Sequence, residues 1–241
     1  LFQSPVVDWT CKYIFSLWMS LLVQCPFDLK KVLRQHWTEF LNELIHKNIR
    51  NLGLKGSYGK EMQASAVLLA NFLKRPSEAV EIESFMLWCN ENAGSSDYSL
   101  GILAFLVQLG KASEDSVLVP HTTVLNQILN VIDMNVPGSN TITLKLVLKL
   151  RSRLAQLEAK GGSSVSLNYF VSALKHRDTV IRWTAAKALR RIVLVTNNSL
   201  ICKVLLDHLE AEFNSPMGAS PHALHGLFLA IGQLLNYKLF N

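Results

Sequence analysis

NYFVSALKHRDTVIRWTAAKALRRIV, residues 168–193, contains a complete pair of helices and the turn between them. Phe170, Val171 and Leu174 close a first amphipathic helix, Asp178 stands where an N-cap is needed, and Ile181, Ala185, Leu189 and Ile192 then recur at helical spacing. Ala185, Ala186 and Ala188 are small where two helices must approach closely. Arg182, one turn into the second helix, is placed to pair with the capping carboxylate or with a neighbouring unit's equivalent residue. Such a pair leaves an apolar side uncovered, so further pairs must stack on it. The expectation is an all-α chain, a HEAT/armadillo-like α-solenoid of stacked antiparallel helix pairs, with Asp178, Arg182, Ala185 and Leu189 as a structural repeat motif.

Outside this pair the same periodicity predicts helices over Asp8–Gln24, Lys31–Leu52, Lys60–Lys74, Glu78–Asn92, Ser99–Lys111, His121–Met134 and Thr141–Ala159. With Val165–Lys175, Thr179–Val195, Leu200–Phe213 and Pro221–Tyr237 the total is eleven, and no run reads as a strand. Pro26, Pro76 and Pro137 sit just past helix ends, Gly53 ends a helix, and Pro221 suits a first turn. The stretch Lys160 to Ser164 is the one flexible-looking linker, between helices that should still stack, so residues 1–241 read as a single solenoid segment.

Hydrophobic residues make up 49% of 241, rich for a chain without a membrane span. Helices buried on two sides account for this. The best span candidate, Tyr13 to Val23, is about half the roughly 20 apolar residues required, and Lys12 and Pro26 bracket it. The N-terminus lacks the pattern of a signal peptide, and Leu1 reads as a cut inside a longer protein. Cys11, Cys25, Cys89 and Cys202 are scattered singly, which suits reduced thiols in the cytosol; the sequon Asn197-Asn198-Ser199 would then go unused. A formal charge of +6 favours acidic partners, but the basic residues are dispersed.

Motifs that carry chemistry are not found. Gly56-Ser57-Tyr58-Gly59-Lys60 superficially suggests a phosphate loop, yet Leu54 stands where its first glycine belongs and Glu61 where a hydroxyl would hold magnesium. His222 and His225 can share a helix face but have no third ligand at fixed spacing. Glu78, Glu81 and Glu83 read as a solvated face in the first turns of a helix. Trp9, Tyr13, Trp18, Trp37, Trp88 and Trp183 read as core anchors. Trp183 also begins a stripe with Lys187, Arg190 and Arg191, a cationic and partly aromatic face that makes these four the partner-binding candidates. No catalytic residue, bound cofactor or metal is expected, and the chain reads as a non-enzyme.

Five groups of residues in one order along the chain resemble the tubulin-folding cofactor D family. They are Trp9, Lys12-Tyr13, Leu17-Trp18, Ser20 and Pro26-Phe27-Asp28; Ala64, Ala66-Val67-Leu68, Phe72 and Arg75-Pro76; and Lys149-Leu150 with Arg153-Leu154. Then come Lys175, Asp178-Thr179-Val180, Arg182-Trp183 and Ala185-Ala186-Lys187, and last His225-Gly226 with Leu229-Ala230. The resemblance implies a cytoplasmic, microtubule-associated chaperone that captures β-tubulin. With tubulin-folding cofactors C and E and an Arf-like small GTPase, it makes or dismantles αβ-tubulin heterodimers. Hydrolysed GTP in that family belongs to tubulin or to the GTPase, and neither nucleic acid nor a membrane span is implied. The family's solenoid is much longer, so the piece corresponds to a central fragment, and its divergence from the animal-type pattern points to a fungal version. The competing function is a HEAT-repeat adaptor of nuclear transport or of another complex, binding peptides or nucleic acid.

Overall fold

The computed structural model describes residues 9–53, 59–135, 140–163, 165–196, 200–215 and 218–236. Among them every regular element is helical. The chain divides into two compact units, Leu1–Pro137 and Gly138–Asn241, and Lys160–Ser163 lies inside the second.

The first unit contains α1 (Trp9–Leu22), α2 (Leu29–Leu33), α3 (Trp37–Leu52), α4 (Lys60–Leu73), α5 (Ala79–Asn92), α6 (Ser99–Ala112), α7 (Asp115–Leu118) and α8 (Thr122–Asn135). α4 packs between α1 and α6 with α3 and α5 on its other flank, and α8 packs on α5. That position explains its sequence: Met62, Ala64, Ala66, Leu68, Leu69, Ala70, Phe72 and Leu73 are all buried. The second unit contains α9 (Thr141–Lys160), α10 (Asn168–Leu174), α11 (Thr179–Thr196), α12 (Leu200–Phe213) and α13 (Pro221–Leu235). α11 lies between α9 and α13 with α10 against it, and α12 packs on α13.

Three features of the helix pattern differ from the expectation. The predicted helix Lys31–Leu52 is two helices: Asp28 caps α2 by accepting the N–H groups of Lys30 and Lys31, and Arg34 at φ +47° turns the chain before α3 begins. The short α7 carries no period that betrays it. Lys160–Ser163 is the cap of α9, in which Gly161, Gly162 and Ser163 donate back to Leu157, Ala159 and Glu158 and Gly162 takes φ +80°. Ser164, residues 54–58 with the first three of the Gly56–Lys60 stretch, and the sequon at 197–199 lie outside the described residues.

The aromatic expectation is overturned on α1. Trp9 is 55% exposed and Trp18 is 69% exposed, while Ser16 and Ser20 are the helix's buried residues. Small hydroxyl residues let α1 approach α4 closely, and Ser20 satisfies its own hydroxyl on the Leu17 carbonyl at 2.7 Å. Trp37 and Trp88 are half-buried, Trp88 edge-on to Tyr98 at 5.4 Å between ring centroids.

The glutamate face is corrected as well. Glu83 is exposed, but Glu78 is 0% exposed and Glu81 pairs with Lys30 at 3.3 Å. Glu78 accepts the Ser77 hydroxyl at 2.7 Å with Oε1 and leaves Oε2 without a partner. Burial, reinforced by the nearby Glu81 charge, raises its carboxyl above the ordinary value, against the opposing pull of Ser77, Lys30 and Arg75. A carboxyl whose pKa rises on folding favours the fold when protonated, and that contribution is lost as pH climbs through the raised value. Glu78→Gln is therefore expected to melt above wild type at pH 8, with the gap closing as pH falls toward 4.5, the unshifted value. Parallel Tm curves for the two proteins would show that the carboxyl is not titrating in the fold.

The α10–α11 pair has the packing that its residues predict: Phe170, Val171, Leu174, Ile181, Ala185, Leu189 and Ile192 are all buried. Ala185 has no exposed surface and belongs to the cluster that joins α9, α11 and α13. Ala185→Leu should cost about 1 to 3 kcal/mol by overpacking, read as a lower melting temperature; an unchanged one would mean that the pocket can expand.

Candidate functional site

Asp178 ends the turn before α11. Its Oδ1 accepts the Val180 N–H at 2.7 Å and its Oδ2 the Thr141 hydroxyl of α9 at 2.9 Å. These two hydrogen bonds, the backbone one first, hold its carboxyl below the ordinary value. The cap therefore also ties α11 to α9. Arg182 does not take the carboxylate partner expected of it. Its guanidinium, on a residue only 5% exposed, donates to the carbonyls of His176 at 2.7 Å and Arg177 at 2.8 Å, to the Thr179 hydroxyl at 2.8 Å, and to His225 Nδ1 at 3.1 Å. His222 Nδ1 lies 3.4 Å from the same group. The two histidines thus face a cation. Among the described residues no group of three His, Cys, Asp or Glu is arranged to hold a metal ion.

The four partner-binding candidates share one side of α11. Trp183 is 39% exposed, and the Lys187 ammonium lies over its ring at 4.8 Å from the centroid. Arg190 reaches Gln233 of α13 at 3.1 Å, and Arg191 is exposed. Val180 and Leu194, both exposed, complete the ridge. Ala185, Leu189 and Ile192 point the other way into the core. The periodicity of α11 found this ridge. What it missed is that Arg190 is partly engaged in holding α13, and that α9 carries a basic row of its own, Lys145, Lys149 and Arg153, at four-residue spacing. Counting charges along α9 by helical position would have found it.

Among the described residues no helix is long and apolar enough to cross a membrane. Stacked helices, caps and clamps on the inside and a broad ridge of basic and apolar side chains outside define a helical-repeat protein of the armadillo/HEAT class. Residues 3–93 match the family described as tubulin-specific chaperone D-like, ARM repeat. The chain is also 23% identical to tubulin-specific chaperone D of Dictyostelium discoideum over 321 residues, which takes in 97% of this chain and 22% of that protein. It is thus similar to tubulin-specific chaperone D along nearly its whole length, while spanning about a fifth of that relative. No solved structure matches the chain. The family match lies within the first unit, so the α11 ridge, in the second, is reached by the relative but not by the family match.

Proposed function

We propose that this chain is part of a tubulin-chaperone scaffold that holds β-tubulin, and the αβ-tubulin heterodimer, by contact over a broad helical surface. The observation that carries the reading is the similarity of 97% of the chain to a protein named for tubulin-specific chaperoning. The fold supports it: stacked helices offer extended faces suited to holding another protein. On this reading the protein works in the cytoplasm beside the microtubule cytoskeleton, with cofactors C and E and an Arf-like small GTPase, and any GTP hydrolysed is bound to tubulin or to that GTPase. It forms and breaks no covalent bond itself.

The test is capture of purified αβ-tubulin, and separately of an Arf-like GTPase, by the full-length protein and by a version lacking residues 1–241 of this sequence. Loss of capture on deletion is expected. Undiminished capture of both would take this segment out of the recognition surface.

A further inference from the structure

α9 and α11 start side by side, because Thr141 at the head of α9 bonds to Asp178 at the head of α11. α11 and α13 run parallel in fixed register: Arg182 meets His225 and Arg190 meets Gln233, two contacts at one offset. Each of these helices has an outer side. On α9, Arg151 lies over the Tyr169 ring of α10 at 4.6 Å, which marks the inner side, and by helical position Lys145, Lys149 and Arg153 follow the opposite one, Lys149 exposed and Lys145 and Arg153 half-buried. On α11 the outer side is the ridge of Trp183, Lys187 and Arg191. Two cationic rows therefore lie on neighbouring helices, whose axes sit about 8 to 10 Å apart when packed.

One carboxylate, Asp178, stands at the edge of this face, where both its oxygens are taken by the Val180 N–H and the Thr141 hydroxyl; the others lie off it. α11 and α13 contain no Asp or Glu, and the one in α9, Glu158, is two turns beyond Arg151 and so on the inner side. Asp207, Glu210 and Glu212 are on α12. Exposed Val180 and Leu194 interrupt the cations, and Phe228 is exposed on α13. From Lys145 to Arg153 the α9 row is about 12 Å long, and Lys160, exposed on the same side of the helix, extends the basic edge to about 22 Å, the reach of roughly seven extended residues.

We propose that the α9–α11 face binds an extended acidic polypeptide segment carrying occasional apolar side chains, an inference that rests on the scaffold reading and names the chemistry of the client segment it takes. The charge selects acidic chains; the interspersed Val180 and Leu194 of α11, with Phe228 on the neighbouring α13, select a polypeptide, since a phosphate backbone offers nothing apolar to cover them. One face of the Trp183 ring is already taken by Lys187, and no second exposed aromatic ring lies on α11, so the ridge lacks the row of stacking platforms on which single-stranded nucleic acid depends.

The probes are fluorescein-labelled decaglutamate, a ten-residue Glu/Phe peptide and decauridylate RNA, each titrated into the 241-residue chain. Both peptides should bind, the Glu/Phe one more tightly, with affinity falling as salt rises. Lys145→Glu with Arg191→Glu should weaken peptide binding about tenfold, as two attractions become two repulsions, without changing the circular dichroism melt. If that variant misfolds, the glutamine pair Lys145→Gln with Arg191→Gln provides the same reading at smaller effect. Undiminished peptide affinity in a folded variant, or RNA binding tighter than either peptide, overturns the proposal. αβ-tubulin captured equally by wild type and variant, without peptide binding, removes the face and leaves the scaffold reading. Peptide binding by wild type but not by the variant, with tubulin ignored, does the reverse.

Discussion

Gly226→Ala is expected to unfold the second unit at temperatures where the wild-type chain is intact. A Cβ added at Gly226 would lie 1.9 Å from the carbonyl oxygen of Leu174 and 2.7 Å from its carbonyl carbon. These are backbone atoms at the very end of α10, so no side chain can swing aside, and α13 must move away from α10 as a body. The loss should sit at or above the top of the range of about 1 to 3 kcal/mol for overpacking, a fall in Tm of roughly 10 °C or more for a unit of this size. Gly101 in the first unit has the same relation to the last residue of α3, its Cβ falling 2.2 Å from the Leu52 carbonyl oxygen, and Gly101→Ala should behave likewise. The control lies on the same helix as Gly226. Gly232 has nothing within 4 Å of an added Cβ, so Gly232→Ala should stabilise by about 0.5 to 1 kcal/mol through helix propensity alone. Equal melting of the Gly226 and Gly232 variants would mean that the α10–α13 approach is not as close as the structure has it.

That contrast shows what the sequence reveals and what it hides. Helix positions were legible because burial imposes a 3.6-residue period: α4, α6, α9, α11 and α12 begin at the residue that the pattern predicts. Close approach was not legible. A glycine inside a helix looks the same whether it abuts a carbonyl, as Gly226 does, or faces open space, as Gly232 does. Side-chain destination was equally hidden where hydrophobicity is the only guide. α1 has an apolar period but presents its serines to α4 and turns Trp18 outward, because the helix face that fits is the one with the smallest side chains. The candidate ridge on α11 was legible as a period, whereas its neighbouring row on α9 needed the packing of the two helices.

The residues that carry the resemblance to the cofactor D family do something specific in the fold. Pro26-Phe27-Asp28 and Arg75-Pro76 are far apart in sequence, and the structure joins them: the Arg75 guanidinium donates to the carbonyls of Val23, Cys25 and Phe27 just beyond α1. Arg182-Trp183 and His225-Gly226 are joined in the same way by the bond from Arg182 to His225. In both units an arginine satisfies carbonyls left over at a helix end, which no intrahelical donor can reach. The matching pattern therefore records chiefly how helices are joined. The proposed partner face draws on both kinds of position: Lys149, Arg153, Trp183 and Lys187 belong to the pattern, whereas Lys145 and Arg191 do not.

Arg182→Met should be among the more destabilising single changes in the second unit, at about 2 kcal/mol or more. The methionine fills much of the same volume, so the loss comes from polar groups: the carbonyls of half-buried His176 and exposed Arg177 lose their donor, at about 1 to 3 kcal/mol for one shut away from water and less for one that water can reach. Arg182→Lys should recover less than half. An ammonium is a single point with three donors, whereas the planar guanidinium reaches two carbonyls and a hydroxyl with its terminal nitrogens and His225 with Nε. Because a guanidinium only donates, His225 Nδ1 must be the acceptor, which assigns the ring proton to Nε2. His225 is exposed, so His225→Ala should cost well under the arginine change, and the double variant should show a coupling of about 0.5 to 1 kcal/mol. Denaturant midpoints at constant slope separate these values. Lysine matching arginine would show that the charge alone matters; a coupling as large as the whole Arg182→Met effect would place the clamp between α11 and α13 rather than within the turn.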